Sequence, residues 1–203
     1  MGEHIKINPL TVTCVDLQRL LNTGEVTSKD LVHLYLDQIE KLNHQGLYLN
    51  AMISTIPRNI ATAIAEDLDR ERAAGKTRGP LHGIPVSVKD NICTDPALGM
   101  NTTCGTFALK DAKTKGNAPI VDRLIKAGMI IIGKANLSEM TGWKGFGITT
   151  GWSALGGQTQ SPYVVGGVVK GEKLLGQSVC SQYISSVQSK ADSRTCSSRI
   201  FFG

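Results

Sequence analysis

Hydrophobic positions recur with helical spacing in the first third of the chain. Thr13 and Thr27 each precede such a segment, and an aspartate follows three residues after each threonine, which is the spacing of a helix capping box. We therefore predict two helices here, the first ending near Gly24. The apolar character of residues 49–56 is typical of a short strand, and residues 58–74 show a third helical pattern.

Two further apolar segments predict strands. Residues 84–88 read IPVSV and lead into the polar sequence KDN at 89–91, while residues 129–132 read MIII and follow a helix predicted over 119–128. The order of helix, glycine turn and apolar strand is typical of an α/β fold with a largely buried sheet. Residues 142–171 contain nine glycines, so we predict loops and turns there.

Composition and charge exclude several classes of function. The 203 residues are 41% hydrophobic, and no apolar run is long enough to predict a membrane-spanning helix. The net charge is +5, of which +3 falls in residues 170–203, so the rest of the chain has no basic stripe for nucleic acid. The five cysteines are odd in number and form no CxxC pair. This pattern predicts a cytoplasmic protein without disulfides or zinc.

Familiar nucleotide, metal and hydrolase motifs are missing or incomplete. Residues 128–135 read GMIIIGKA and resemble a phosphate-binding loop, but the apolar residues between the glycines form the predicted strand, and Ala135 lacks the hydroxyl that binds magnesium. The four histidines have no metal-ligand or triad spacing, so we expect structural roles for them. No GxSxG motif occurs. The sequence therefore predicts no metal or cofactor.

Lys89 is the candidate for chemistry that the residues themselves single out. It ends an apolar strand and is followed by Asp90. Desolvation at the strand end could leave the amine neutral and able to act as a base. The alternative is that Lys89 pairs with Asp90 or with another carboxylate, and spacing alone favours that pairing.

Four segments together resemble the amidase signature family. Residues 79–91 (GPLHGIPVSVKDN) resemble its lysine-bearing motif, 102–106 (TTCGT) its TTAGS segment, and 127–139 (AGMIIIGKANLSE) its AGAIIIGKTNMSE segment. Residues 152–163 (WSALGGQTQSPY) are similar to a stretch of the fungal-type members. The resemblance covers roughly residues 8–180.

The resemblance implies both a fold and an activity. The implied fold is α/β, with a mixed β-sheet surrounded by helices. The implied activity is hydrolysis of a carboxamide C–N bond in a small amide by a Ser-Ser-Lys triad, without a cofactor. Lys89 would be the general base: it takes a proton from a bridging serine, which in turn deprotonates the nucleophilic serine.

The two serines of the family are missing from this sequence. In the family the first lies in a glycine-rich loop shortly after the position of Cys180, but here residues 177–202 contain no glycine, so the backbone cannot readily form such a loop. We therefore expect an incomplete amidase signature domain over 1–180, truncated or frameshifted, and a disordered serine-rich tail over 181–203. The chain as written is expected to be inactive; the alternative is a non-catalytic remnant that binds a small amide or associates with a full-length relative.

Overall fold

The computed structural model describes residues 7–143 and 149–162. Helices and strands alternate along this part of the chain, and a short hairpin follows them. The helices are α1 (Cys14–Thr23), α2 (Ser28–Leu42), α3 (Arg58–Ala73) and α4 (Pro119–Lys126). The strands are β1 (Met52–Thr55), β2 (Pro85–Lys89), β3 (Ile130–Ala135), β4 (Trp152–Ser153) and β5 (Gly157–Gln158).

Both predicted capping boxes are present. Thr13 accepts a hydrogen bond from the backbone N–H of Asp16, and the Asp16 carboxylate accepts one from the backbone N–H of Thr13. Thr27 and Asp30 make the same reciprocal pair at the start of α2. Gly24 ends α1 with a φ of 72°, a left-handed conformation that glycine adopts without strain. The predicted start of both helices is thus confirmed.

The central sheet is mixed, as the resemblance implies. Its strand order is β1-β3-β2, with β2 parallel and β1 antiparallel to β3. Strand β3 extends three residues beyond the predicted 129–132 and includes Gly133, Lys134 and Ala135. Because these residues lie in a strand, residues 128–135 do not form a phosphate-binding loop, in agreement with the sequence argument.

Helices α2 and α3 pack against each other, and a continuous apolar core joins the helices to the sheet. Leu31 on α2, Ala61 on α3 and Ile132 on β3 are all fully buried. A fully buried leucine or isoleucine contributes about 1.5–3 kcal/mol to folding. The core therefore fixes β2 and β3, the two strands whose ends carry the candidate chemistry.

A buried histidine anchors the turn that precedes β2. His82 Nε2 lies 2.9 Å from the carbonyl oxygen of Leu68, and its Nδ1 accepts a hydrogen bond from the backbone N–H of Arg78. The Arg72 guanidinium donates to the His82 carbonyl oxygen at 2.6 Å. His82 thus has the structural role that we predict from its spacing, and it joins α3 to the strand that leads to Lys89.

The glycine-rich segment contains more structure than the sequence predicts. Strands β4 and β5 pair antiparallel, with Trp152 opposite Gln158, so the prediction of loops alone over 142–171 is wrong at this hairpin. Residues 163–203, which include Cys180 and the predicted serine-rich tail, lie outside the described residues. Of the helices in the described part, none has the length and apolar character needed to cross a bilayer.

Candidate active site

The candidate site forms where β2 and β3 end. These strands are parallel and Lys89 is the Cα partner of Ala135, so the polar residues that follow both strands meet at the same edge of the sheet. Ligands of open α/β sheets bind at this carboxyl edge. It brings the neighbours Lys89 and Asp90 together with Asn136, which lies 47 residues beyond Lys89 in the sequence.

Lys89 is held by a backbone carbonyl. Its Nζ donates a hydrogen bond to the carbonyl oxygen of Asn136 at 2.7 Å, and the side chain is exposed in the described structure. The Asp90 carboxylate next to it in sequence accepts hydrogen bonds from the loop at residues 103–105. An amine held at a fixed position can exchange a proton with a hydroxyl that comes within hydrogen-bond reach of it.

Asn136 is the centre of a buried hydrogen-bond network. Its Nδ2 donates to the carbonyl oxygens of Asn50 and Gly157, at 2.9 and 3.0 Å. Its Oδ1 accepts from Ser153 Oγ at 2.7 Å and from the backbone N–H of Leu137 at 2.9 Å. The residue is 2% exposed. The side chain therefore joins the end of β3 to Asn50, two residues before β1, and to the β4–β5 hairpin.

Asp90 organises the loop beside the lysine. Its Oδ2 accepts hydrogen bonds from the Thr103 hydroxyl and from the backbone N–H groups of Thr103 and Gly105. The residue is fully buried, and a carboxylate is a strong acceptor for several such donors. This contact fixes the turn in which Cys104 has a φ of 50° and Gly105 a φ of 72°.

Lys134 is a second lysine, buried on the opposite face of the sheet from Lys89. Side chains alternate between faces along a strand, and Lys134 is paired with Val88 rather than with Lys89. Its Nζ donates to the Ile92 carbonyl oxygen and to the hydroxyls of Thr102 and Thr94. Burial lowers the pKa of the Lys134 amine, and the nearby Asp90 carboxylate partly opposes that effect.

A buried glutamate supports the outer side of the site. Glu139 is 1% exposed, and its Oε2 accepts a hydrogen bond from the backbone N–H of Ala154 at 3.1 Å. The two residues that follow, Met140 and Thr141, have φ values of 52° and 57°, which are uncommon for residues other than glycine. The Met140 N–H donates to the Cys104 carbonyl oxygen at 2.9 Å, so this turn is joined to the loop that Asp90 holds.

No three His, Cys, Asp or Glu side chains within residues 7–143 and 149–162 are grouped as a metal site. The sequence singles out Lys89, with pairing to Asp90 or to another carboxylate as the alternative to a free base, but predicts no role for Asn136 or Lys134. A usable signal was present: both are polar residues at the end of an apolar segment, the position at which parallel strands place polar groups together.

Comparison with known proteins identifies the family. The family model for amidases matches residues 30–168. A probable amidase of Arabidopsis thaliana is 44% identical over 155 residues, which cover 75% of this chain and 29% of that protein. A putative amidase of Schizosaccharomyces pombe is 40% identical over 161 residues, covering 79% of this chain and 26% of that protein.

Solved structures agree with the sequence comparisons. The native peptide amidase of Stenotrophomonas maltophilia superposes with a TM-score of 0.71 and 41% identity, over 76% of this chain and 31% of that enzyme. The chain thus spans between a quarter and a third of the length of these relatives. Its mixed sheet with helices is a partial amidase signature fold, and the chain belongs to the amidase family.

Proposed function

We propose that Lys89 is the general base of a Ser-Ser-Lys site that hydrolyses the C–N bond of small carboxamides. The observation that supports this is the position of Lys89 at the carboxyl edge of the sheet, where its amine is bonded to the Asn136 carbonyl oxygen at 2.7 Å. Both residues lie within the range that the amidase family model matches.

The chemistry follows from the roles of the three groups. A neutral Lys89 amine takes a proton from the bridging serine, and that serine takes one from the nucleophilic serine. The nucleophile attacks the amide carbonyl, and backbone N–H groups stabilise the oxyanion. The proton held by Lys89 returns through the bridging serine to the amide nitrogen, the C–N bond breaks, and ammonia or an amine leaves. Water then releases the acyl group as a carboxylate.

Neither glycine-rich serine loop of the family is found in these 203 residues, so we propose that this chain alone does not turn amides over. The test is ammonia release from simple amides by the purified chain and by its Lys89→Ala variant. We expect no release above the blank from either protein. If the wild-type chain releases ammonia and Lys89→Ala does not, the proposed inactivity is wrong and Lys89 is supported as the base. If both proteins release ammonia, the proposed inactivity and the proposed role of Lys89 are both contradicted.

A second candidate function is association with a full-length relative. Strand β2 is an edge strand of the described three-stranded sheet, and an edge strand can accept a further strand from a partner. Mixing the chain with an intact amidase on a sizing column tests this function. Co-elution of the two proteins would support it, and separate elution would contradict it.

The other non-catalytic alternative is that the chain binds a small amide without turning it over. Titration of the chain with a small amide in a calorimeter tests this alternative.

The cytoplasm is the location that we propose. The odd number of cysteines without a CxxC pair supports a reducing environment, and Cys14, Cys93 and Cys104 are free thiols in the described structure. Fractionation of cells that express the tagged chain tests this location, and recovery in a membrane or secreted fraction would contradict it.

A further inference from the structure

We propose that Asn136 is a positioning residue for Lys89, an inference that rests on the proposed role of Lys89 as the base. The carbonyl oxygen that accepts the Lys89 amine belongs to Asn136 itself. The orientation of that carbonyl is therefore set by whatever holds the Asn136 residue in place. The geometry assigns this task to its own side chain.

The side chain of Asn136 uses its full hydrogen-bonding capacity. An amide has two donor hydrogens and two acceptor lone pairs, and here both donors and both lone pairs have partners at 2.7–3.0 Å. The backbone N–H is also bonded, to the Ala51 carbonyl oxygen at 2.7 Å. The residue cannot turn without breaking several of these bonds, so its carbonyl keeps a fixed direction towards Lys89.

The β4–β5 hairpin holds this side chain from the outside. A Cβ added at Gly156 would lie 2.5 Å from the Asn136 side chain, so only glycine allows the turn to approach this closely. The Ser153 hydroxyl donates to Asn136 Oδ1 and accepts from the Gly156 N–H at 2.9 Å. The hairpin, which sequence patterns do not predict, therefore contributes to the position of Lys89.

Asn43 provides a matched control. It is also buried, and its side-chain amide makes two hydrogen bonds to the backbone of Met52. Asn43 Nδ2 donates to the Met52 carbonyl oxygen at 2.9 Å, and Asn43 Oδ1 accepts from the Met52 N–H at 2.8 Å. Replacing either asparagine removes buried amide hydrogen bonds. Asn136, unlike Asn43, provides a carbonyl that accepts the Lys89 amine, so replacing Asn136 should change the environment of that amine and replacing Asn43 should not.

The experiment is competitive acetylation of the 203-residue chain with acetic anhydride, read by mass spectrometry as the labelling rate of Lys89 relative to exposed Lys76. Both side chains are exposed, so the reagent reaches both. In Asn136→Ser the hydrogen bond that holds the Lys89 amine is loosened, and we expect this ratio to rise about fivefold, a change worth ~1 kcal/mol at 25 °C. In Asn43→Ser we expect the ratio to stay at its wild-type value, although the melting temperature falls.

Ser153→Ala is the milder variant if Asn136→Ser does not fold, because it removes one donor to Asn136 Oδ1. We expect it to raise the ratio about twofold, since one of the four side-chain bonds is lost. An unchanged ratio in the variant that folds, or an equal rise in Asn43→Ser, would overturn the proposal. Because the readout is labelling rather than ammonia release, its result is independent of whether Lys89 catalyses any reaction.

Discussion

Replacing Lys134 with methionine tests whether the buried amine stabilises the loops beside the site. The two side chains have similar volume, so the substitution removes the amine and leaves no large cavity. The amine is fully buried and donates to one backbone carbonyl, that of Ile92, and to two threonine hydroxyls. We expect Lys134→Met to destabilise the protein.

The magnitude follows from which acceptors lose their partner. The Thr102 hydroxyl still accepts from the Thr94 N–H, and the Thr94 hydroxyl still donates to the Met100 carbonyl oxygen, both at 3.4 Å. The Ile92 carbonyl retains only a long contact of 3.4 Å from the Thr102 hydroxyl. A buried carbonyl deprived of its strong donor costs about 1–3 kcal/mol. Relief of the desolvation of the ammonium opposes that cost, so we expect a net loss at the lower end of this range, about 1 kcal/mol.

Urea unfolding at pH 7 measures this loss as a midpoint lowered by about 0.5 M, for a slope of about 2 kcal/mol/M. The exposed Lys76→Met is the control and should leave the midpoint unchanged. A Lys134→Met variant as stable as the wild type would refute the reasoning, because the burial cost of the amine would then equal or exceed the value of its hydrogen bonds.

The same pair of proteins gives a prediction about pH. Burial lowers the pKa of Lys134 in the folded chain below its ordinary value of 10.5. Between the folded and unfolded pKa values the unfolded chain binds a proton that the native chain does not, so this group makes the wild type more stable as pH rises. The stability difference between wild type and Lys134→Met should therefore widen from neutral pH towards 10.5. A difference that stays constant would contradict the lowered pKa.

Two further substitutions test the loop and the turn that frame β2. Asp90→Ala removes a carboxylate that accepts three hydrogen bonds and leaves their buried donors without this acceptor, so we expect a loss of about 2–4 kcal/mol in urea unfolding. The exposed Asp111→Ala should change stability by less than about 0.5 kcal/mol. Gly128→Ala places a Cβ 2.8 Å from His82 Nδ1 at a φ of 85°. The control is Gly24→Ala, where φ is 72° and no atom lies within 4 Å of the added Cβ. Both variants carry the left-handed strain and Gly128→Ala adds the close contact, so we expect the melting temperature of Gly128→Ala to be well below that of Gly24→Ala.

The elements set by local rules were predictable from the sequence. The capping boxes at Thr13 and Thr27 depend on residues three positions apart, and Gly24 acts on its own helix end. The strand that ends at Lys89 was predictable because its apolar run stops at a polar sequence. The resemblance then supplied what periodicity cannot, namely the mixed sheet and the expected role of Lys89 as a general base.

The partners of the site residues were not predictable, because each lies far away along the chain. Lys134 contacts Ile92 and Thr102, which are 42 and 32 residues away, and a lysine in a sequence is ordinarily read as exposed. Asn136 reaches Asn50, 86 residues away, and the hairpin that follows. Only the pairing of β3 with both β1 and β2 brings these segments together, and that pairing is a property of the fold.

The hydrogen bonds that place Lys89 come from residues 50–157, within the range that the structure describes. Asn136 holds the acceptor of the amine, Asp90 holds the adjacent loop, and Lys134 braces that loop from the other face of the sheet. If ammonia release is absent while Lys89 labelling responds to Asn136→Ser, then Asn136 positions the Lys89 amine in a chain that does not itself turn amides over.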